Sequence, residues 1–351
     1  MTTTMLYTLL YKITQALLYN KRLTWIRNLI VKALPYRVLY SIIAKSESLN
    51  LSCNYNSTCQ NGNYFSGVVM MFDGKAAQPG LADCLRGIAS VYYLCKTNNI
   101  PFKVRYQHPF DLSDYLVPNE YQWTICDDQI TFDKSKAYPV VCTSYNNLFG
   151  EKNTTLQKEY LIKKLKGYNG KQIHLYTNTF CYDEHFNDMF HELFCLSENL
   201  KRHIDYNSDC LKGKYISASF RFATLLGDMD DTFGTPLPEN ERENLMQRCI
   251  NAIEELHKNN PQYNKILITT DSVTFSEKVK QTLSYVYIIP GAMGHLAYNG
   301  AEEVVLKTFL DLFLISRAET VYMIRTDIMY RSGFAKRAAF IGDKPFIEIT
   351  I

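Results

Sequence analysis

The ten cysteines of this 351-residue chain never occur as a CxxC pair. Zinc ribbons and thiol redox centres use that spacing, so neither is expected. Half of the cysteines stand in apolar runs (Cys84, Cys95, Cys142, Cys195, Cys249), as reduced core residues do, and this fits a reducing cytoplasm. A large net charge is also missing. With 38 Lys and Arg against 35 Asp and Glu the balance is +3, too little for a broad nucleic-acid footprint. No uncharged apolar run reaches the roughly 20 residues a membrane-spanning helix needs. A secretory signal is not expected either: Lys12, Lys21 and Arg22 interrupt the first apolar stretch and no small-residue cleavage site follows. His185 and His191 lie near Asp183, Glu184 and Glu192, but a six-residue spacing does not place two histidines on one helical face. No metal centre is expected there. What remains is ordinary globular composition, 46% hydrophobic and 21% charged, and enough length for two domains.

Charge is nevertheless uneven. Between Met1 and Leu49 there are seven basic residues (Lys12, Lys21, Arg22, Arg27, Lys32, Arg37, Lys45) and one acid, Glu47. Leu6, Leu9, Leu10, Ile13 and Leu17 recur at helical spacing, as do Trp25, Ile26, Leu29, Ile30 and Ala33 before Pro35, and a third apolar segment runs from Arg37 to Lys45. Basic amphipathic helices with interleaved Tyr and Trp suit the surface of an anionic bilayer, and a helical subdomain packed on the main body is the alternative. Residues 1–49 are therefore read as an amphipathic segment on the inner face of the plasma membrane, and the Asn-, Ser- and Gly-rich Asn50–Phe65 as a linker.

The rest alternates between strand and helix. Gly67–Phe72 is an apolar strand, followed by a glycine-containing loop and a helix from Leu81 to Asn98. Pro101–Tyr106, Pro139–Cys142 and Gln172–Thr177 read as further strands, and Thr155–Lys166 as a basic helix. From Tyr215 the alternation is regular: strands at Tyr215–Arg221, Lys265–Thr270, Tyr285–Ile289, Thr320–Ile324 and Pro345–Ile349, with helices at Glu239–Lys258, Phe275–Leu283, Glu302–Ser316 and Gly333–Ile341 between them. This predicts parallel sheets with right-handed crossovers, in two domains at 50–212 and 213–351. In open α/β sheets ligands bind beyond the carboxyl ends of strands. Arg221 stands at such an end, where its planar fork suits phosphate oxygens. Gly227, Asp228, Asp230 and Asp231 follow it, and carboxylates there are placed to take a proton from an incoming hydroxyl. A surface ion pair is the bland reading of the same residues.

Four short motifs carry a resemblance, in one order along the chain. Gly80-Leu-Ala-Asp-Cys-Leu-Arg-Gly-Ile88 resembles the GLxDRLRG loop and helix of the superfamily that includes bacterial nodulation fucosyltransferases, core α-1,6-fucosyltransferases and O-fucosyltransferases. Ser219-Phe-Arg221 resembles its HxRR signature, and Ile268-Thr-Thr-Asp-Ser272 its strand ending in a TD pair. Asp311–Ser316, followed by Tyr330-Arg-Ser-Gly-Phe-Ala335, resembles its third motif. The match runs from about Gly67 to the C-terminus, and the basic N-terminal segment lies outside it. Three positions depart from the pattern: Cys84 and Phe222 stand where arginine is usual, and Ser219 where histidine is usual.

The resemblance implies two facing Rossmann-like domains, the GT-B arrangement, and an inverting glycosyltransferase without an essential divalent metal or cofactor. Its donor would be GDP-fucose or another nucleotide sugar, and its acceptor a glycan or lipid-linked oligosaccharide of a bacterial surface. A non-catalytic glycan-binding protein on the same fold is the rival class. Carried over residue by residue, Arg221 would hold the diphosphate. Asp271 and Ser272 would lie by the guanosine, with Ser219 beside them. Arg331, Ser332 and Gly333 would meet the phosphate at a helix N-terminus, and Gly80 and Arg86 would line the other lobe. Asp228 would be the base, because Gly227 lets the backbone turn there, with Asp230 the alternative.

Overall fold

The computed structural model describes residues 3–56, 63–76, 80–179, 183–229, 234–294 and 301–351. In chain order, helices α1 (Thr3–Tyr19), α2 (Thr24–Ala33) and α3 (Tyr36–Ser52) precede β1 (Val68–Phe72), α4 (Leu81–Thr97), β2 (Phe102–Tyr106), β3 (Leu116–Pro118), β4 (Ala137–Cys142), α5 (Asn146–Phe149), α6 (Asn153–Lys166), β5 (Gln172–Thr177) and α7 (Phe186–Leu193). Next come β6 (Phe194–Leu196), α8 (Glu198–Leu211), β7 (Ile216–Phe220), α9 (Glu239–Asn259), β8 (Ile266–Thr270), α10 (Val273–Thr282), β9 (Val286–Tyr287), α11 (Glu302–Ser316), β10 (Val321–Arg325), α12 (Phe334–Ile341) and β11 (Phe346–Thr350). The chain forms two compact units. One comprises residues 1–79, 84–108 and 118–193; the other 80–83, 109–117 and 194–351.

The first unit is a parallel four-stranded sheet in the order β2-β1-β5-β4. Its inner strands β1 and β5 are buried at every residue, as strands covered on both faces must be, while the edge strand β2 alternates between buried and half-buried positions. Gly87 in α4 explains one glycine of the first motif. A Cβ there would stand 3.1 Å from the Asn178 backbone and 3.2 Å from Met70, so the helix lies closer to the sheet than a larger residue permits. The N-terminal helices are part of this unit. Leu39, Tyr40, Ile43 and Ala44 bury the inner face of α3, which packs on β4, and α1 packs on α3. The tyrosine Tyr40 donates to the Thr143 carbonyl at 2.8 Å. Helix α3 thus runs across the border expected near residue 49. The stretch read as a linker contributes the end of α3 and a bridge from Asn56 to Asp133.

The second unit is a parallel five-stranded sheet in the order β11-β10-β7-β8-β9. Its core joins Ile216, Ala218 and Phe220 of β7, Ile266 and Ile268 of β8, the inner face of α9 (Leu245, Cys249, Ile253, Leu256) and Phe275 of α10. It begins earlier than residue 213. Helix α8 starts on a Ser197 cap that accepts from the Leu200 N–H and packs against α11. Its buried stripe is Leu200, Ile204, Asn207 and Leu211, and the polar member, Asn207, accepts a 2.7 Å hydrogen bond from the Tyr287 hydroxyl.

Candidate active site

In the second unit the carboxyl ends of β7, β8 and β10 and the N-terminus of α12 surround a cavity of about 230 Å³. Arg221 follows directly on β7. Its Nη1 lies 3.1 Å from Asp271 Oδ2, beyond the end of β8, and its side chain is 20% exposed while that of Asp271 is 7% exposed. The adjacency follows from register, since β7 and β8 pair in parallel with Phe220 opposite Thr270. Asp271 also accepts from the Phe222 N–H at 2.8 Å and the Ala223 N–H at 2.7 Å. One carboxylate therefore fixes both the guanidinium and the turn that leaves β7. Burial pushes its carboxyl above the usual carboxylate range, against the pull of Arg221 and the two backbone donors.

Phe222, at the position of the family's second arginine, is fully buried and packs against Phe275 with ring centroids 4.8 Å apart. An arginine in its place would have to bury its charge in the core. Ser219 sits opposite Thr269 on β8, and the two hydroxyls are 2.7 Å apart. Both line the cavity, as do Gly80 and Asp83 in the stretch 80–83, which clusters with this unit. Arg86, two turns into α4, belongs to the first unit.

Ser272 is buried and caps α10, its hydroxyl accepting from the Phe275 N–H at 3.0 Å and donating to Asp228 Oδ2 at 2.7 Å. The same carboxylate oxygen accepts from the Thr274 N–H at 2.8 Å. Asp228 is thereby held across the start of α10, where the helix dipole favours a carboxylate. Gly227 makes this placement with φ +79°, and a Cβ on it would lie 2.7 Å from the Arg242 guanidinium. Asp230 and Asp231 lie outside the described residues. At the start of α12, Ser332 and Gly333 line the cavity and Gly333 has open space around its Cα. Arg331 turns to β11, where it and Arg325 grip Glu348 at 2.7 and 2.6 Å and hold that carboxyl below its usual range.

A further pair on the cavity wall, Lys307 and Asp311, stands one turn apart on α11. The Lys307 side chain is 3% exposed, and its ammonium lies 2.6 Å from each carboxylate oxygen. The sequence signal for it was a Lys/Asp pair at i, i+4 inside an otherwise apolar helix, since such charges are seldom buried unless paired. In the Asp183–Glu192 stretch His185 stacks on Tyr93 at 4.3 Å and Glu192 pairs with Lys96.

The first unit has its own cavity of about 400 Å³, beyond the carboxyl ends of β1, β4 and β5. Tyr11, Gln15 and Tyr19 of α1 and Glu47 of α3 close one side of it, and Asp73, Lys75 and Tyr176 lie on the sheet side. Glu47 accepts from Tyr145 at 2.6 Å and from Gln15 at 3.0 Å. Asp73 accepts from the Tyr176 hydroxyl at 3.1 Å and pairs with Lys75 at 3.3 Å.

This architecture has solved counterparts. The chain has the fold of a fucosyltransferase. The α-1,6-fucosyltransferase NodZ soaked with GDP-fucose superposes with a TM-score of 0.51 over 79% of this chain and 93% of its own, at 14% identity. The same enzyme co-crystallised with GDP gives 0.52 over 78% and 92%, at 15% identity. NodZ from Bradyrhizobium gives 0.51 over 78% and 92%, also at 15%. No protein-family model and no curated protein matches the sequence. The α/β architecture expected from the strand–helix alternation and the four motifs is therefore the architecture found, in the fold class of the GT-B fucosyltransferases.

Proposed function

We propose that the protein is an inverting glycosyltransferase that moves fucose from GDP-fucose to a hydroxyl of a bacterial surface-glycan precursor. The observation that carries this reading is Arg221, fixed by Asp271 on the wall of a cavity at the strand ends of the second unit. In one displacement the acceptor oxygen bonds to the anomeric carbon as the bond to the diphosphate oxygen breaks, so the configuration inverts. Negative charge grows on the leaving diphosphate. Arg221 and the backbone N–H groups at Ser332 and Gly333 are set to meet it. Asp271 acts on the phosphate only through Arg221, and the guanosine would lie against Ser219, Thr269 and Met293, which line the same cavity. The acceptor proton passes to a carboxylate of the loop after Arg221, and Asp230 takes that role here because Asp228 is engaged at α10. NodZ, of the same fold, was crystallised with GDP and soaked with GDP-fucose, which supports GDP-fucose as the first donor to try.

The test is transfer and donor hydrolysis with a panel of nucleotide sugars, together with thermal shift by GDP. A ligand at a hundred times its Kd adds about 2.7 kcal/mol of stability. Arg221→Ala should lose roughly 2–4 kcal/mol of transition-state stabilisation, the scale of one charge-stabilising donor. Arg221→Lys should also be poor, because a planar fork is replaced by a point charge. Activity should survive EDTA, since every proposed partner of the diphosphate is a protein group. Turnover near wild type in Arg221→Ala would overturn the assignment. Turnover with a different nucleotide sugar would replace the donor and keep the mechanism. No stabilisation by any nucleotide would leave a glycan-binding protein on this fold.

A further inference from the structure

Thirteen large hydrophobic side chains are exposed among the described residues, and eight of them lie between Leu9 and Ile42. They are ordered. Helix α1 exposes Leu9 and Ile13, with Lys12 between them; α2 exposes Trp25 and Leu29, two turns and one turn before Lys32; α3 exposes Val38 and Ile42, two turns and one turn before Lys45. In α2 and α3 the spacing is the same, apolar at i and i+4 and lysine at i+7, which is one face of a helix. The opposite faces are the packed ones, with Thr14 and Leu18 buried in α1 and Leu39, Tyr40, Ile43 and Ala44 in α3. The outward stripes are thus left over after the helices have packed on the first unit, and packing there does not account for them.

Their charge is of one sign. Glu47 is the only acid between Thr3 and Ser52, and it is drawn inward by Gln15 and Tyr145. Helix α6, which packs on α3, adds lysines of the same sign. Lys45 and Lys163 both lie close enough to Lys164 to oppose its charge, although burial is the larger influence on it. Arg37 is the exception, paired with Glu159.

We infer that the outward faces of α1, α2 and α3 dock on an anionic lipid bilayer, with Trp25, Leu29, Val38 and Ile42 entering the headgroup layer and Lys12, Lys32 and Lys45 meeting lipid phosphates. A second copy of the chain is the competing occupant. A two-fold contact through these stripes would set lysine against lysine, with only Glu47, already held by Gln15 and Tyr145, as an acid on the same helices, whereas a phosphate layer offsets every charge. Tryptophan favours the headgroup level, and an amphipathic helix lies in that plane without spanning. No helix among the described residues is long and apolar enough to cross a membrane.

The experiment is sedimentation of the full chain with vesicles, read without donor or acceptor and so independent of the proposed reaction. The chain should bind phosphatidylcholine vesicles that carry phosphatidylglycerol, bind pure phosphatidylcholine far less, and release as salt rises. Each basic residue near an anionic surface accounts for about fivefold in partitioning, so Lys32→Glu with Lys45→Glu should lower it by roughly 25-fold or more. Trp25→Ser with Leu29→Ser should lower it on anionic vesicles at constant charge. All four positions are exposed, so the melting temperature should not move. Absence of binding to anionic vesicles, or binding that ignores both lipid charge and these variants, would overturn the inference. So would a dimer in light scattering that Leu29→Ser dissociates, because the face would then belong to a second copy.

Discussion

Asp228 can be a helix cap or a base, and the two tasks respond differently to one substitution. At the start of α10, beside the Ser272 cap, it uses a single oxygen to accept from Ser272 and Thr274. Asparagine keeps such an acceptor, so Asp228→Asn should leave both stability and turnover close to wild type. Asp228→Ala should cost about 1 kcal/mol of stability, the usual value of a lost cap. A base would lose on the order of 10²-fold or more in turnover on becoming asparagine. That loss is expected at Asp230→Asn, and finding it at Asp228→Asn instead, with an unchanged melting temperature, would return the base to Asp228. Glu47 offers a pH test. Burial lifts its carboxyl above the ordinary range, against hydrogen bonds from Tyr145, Gln15 and Thr143. The folded chain therefore holds this proton more tightly than the unfolded chain does. Its contribution to stability is complete below the ordinary glutamate pKa of about 4.3 and is lost as pH rises through the raised value. Glu47→Gln removes the titration. Its melting temperature relative to wild type should climb from acid toward neutral pH and then level off. A difference that stays constant with pH would show that folding does not shift Glu47.

At the scale of elements, the parallel strands and the helices between them were legible because strands buried on both faces read as continuous apolar runs. Gln172–Thr177 and Glu302–Ser316 fall on the residues expected. Helix α8 was not legible, because Asn207 occupies one position of a stripe that otherwise reads Leu200, Ile204, Leu211, and its hydrogen bond to Tyr287 is a tertiary fact. The Asp271–Arg221 bracket was hidden for the same reason, since a strand-end acid and a strand-end base declare their pairing only through register. The first three helices were legible as elements, but their place was not. Helical periodicity marks a buried face without naming what covers it, and here β4 covers that of α3. This gives a prediction that separates docking on a bilayer from being a detachable anchor. A chain starting at Asn50 loses Leu39, Tyr40 and Ile43, each 7% exposed or less. At about 1.5–3 kcal/mol for each buried side chain, the loss is comparable to the net stability of a whole domain. The shortened chain should aggregate or melt without a cooperative transition. Cooperative melting near the wild-type temperature would mean that α3 is an appendage.

At the scale of the whole molecule, the two units do not correspond to two halves of the sequence. The second unit takes in residues 80–83 and 109–117 before its main stretch from 194 onward. Two packing facts show what the early pieces supply. Tyr115 stacks on the buried Phe309 of α11, with centroids 4.5 Å apart and planes within 4°. Helix α8 packs on the same α11. A fragment cut at the expected border, residues 213–351, lacks both partners and leaves the Phe309 side of an apolar helix uncovered. An aromatic pair contributes about 0.5–1.5 kcal/mol beyond the area it buries, and the side chains themselves bury 150–250 Å² each on the usual scale. Adding residues 194–212 restores α8 and leaves Tyr115 missing. Three chains should therefore rank in order when followed by circular dichroism on heating: the full chain most stable, 194–351 weaker, and 213–351 without a cooperative transition. Phe309→Ala in the full chain should cost about 3–5 kcal/mol, as large aromatic truncations in cores do. If 213–351 melted as cooperatively and at the same temperature as 194–351, α8 would contribute nothing to the unit that carries Arg221, and the border would stand where strand–helix alternation alone put it.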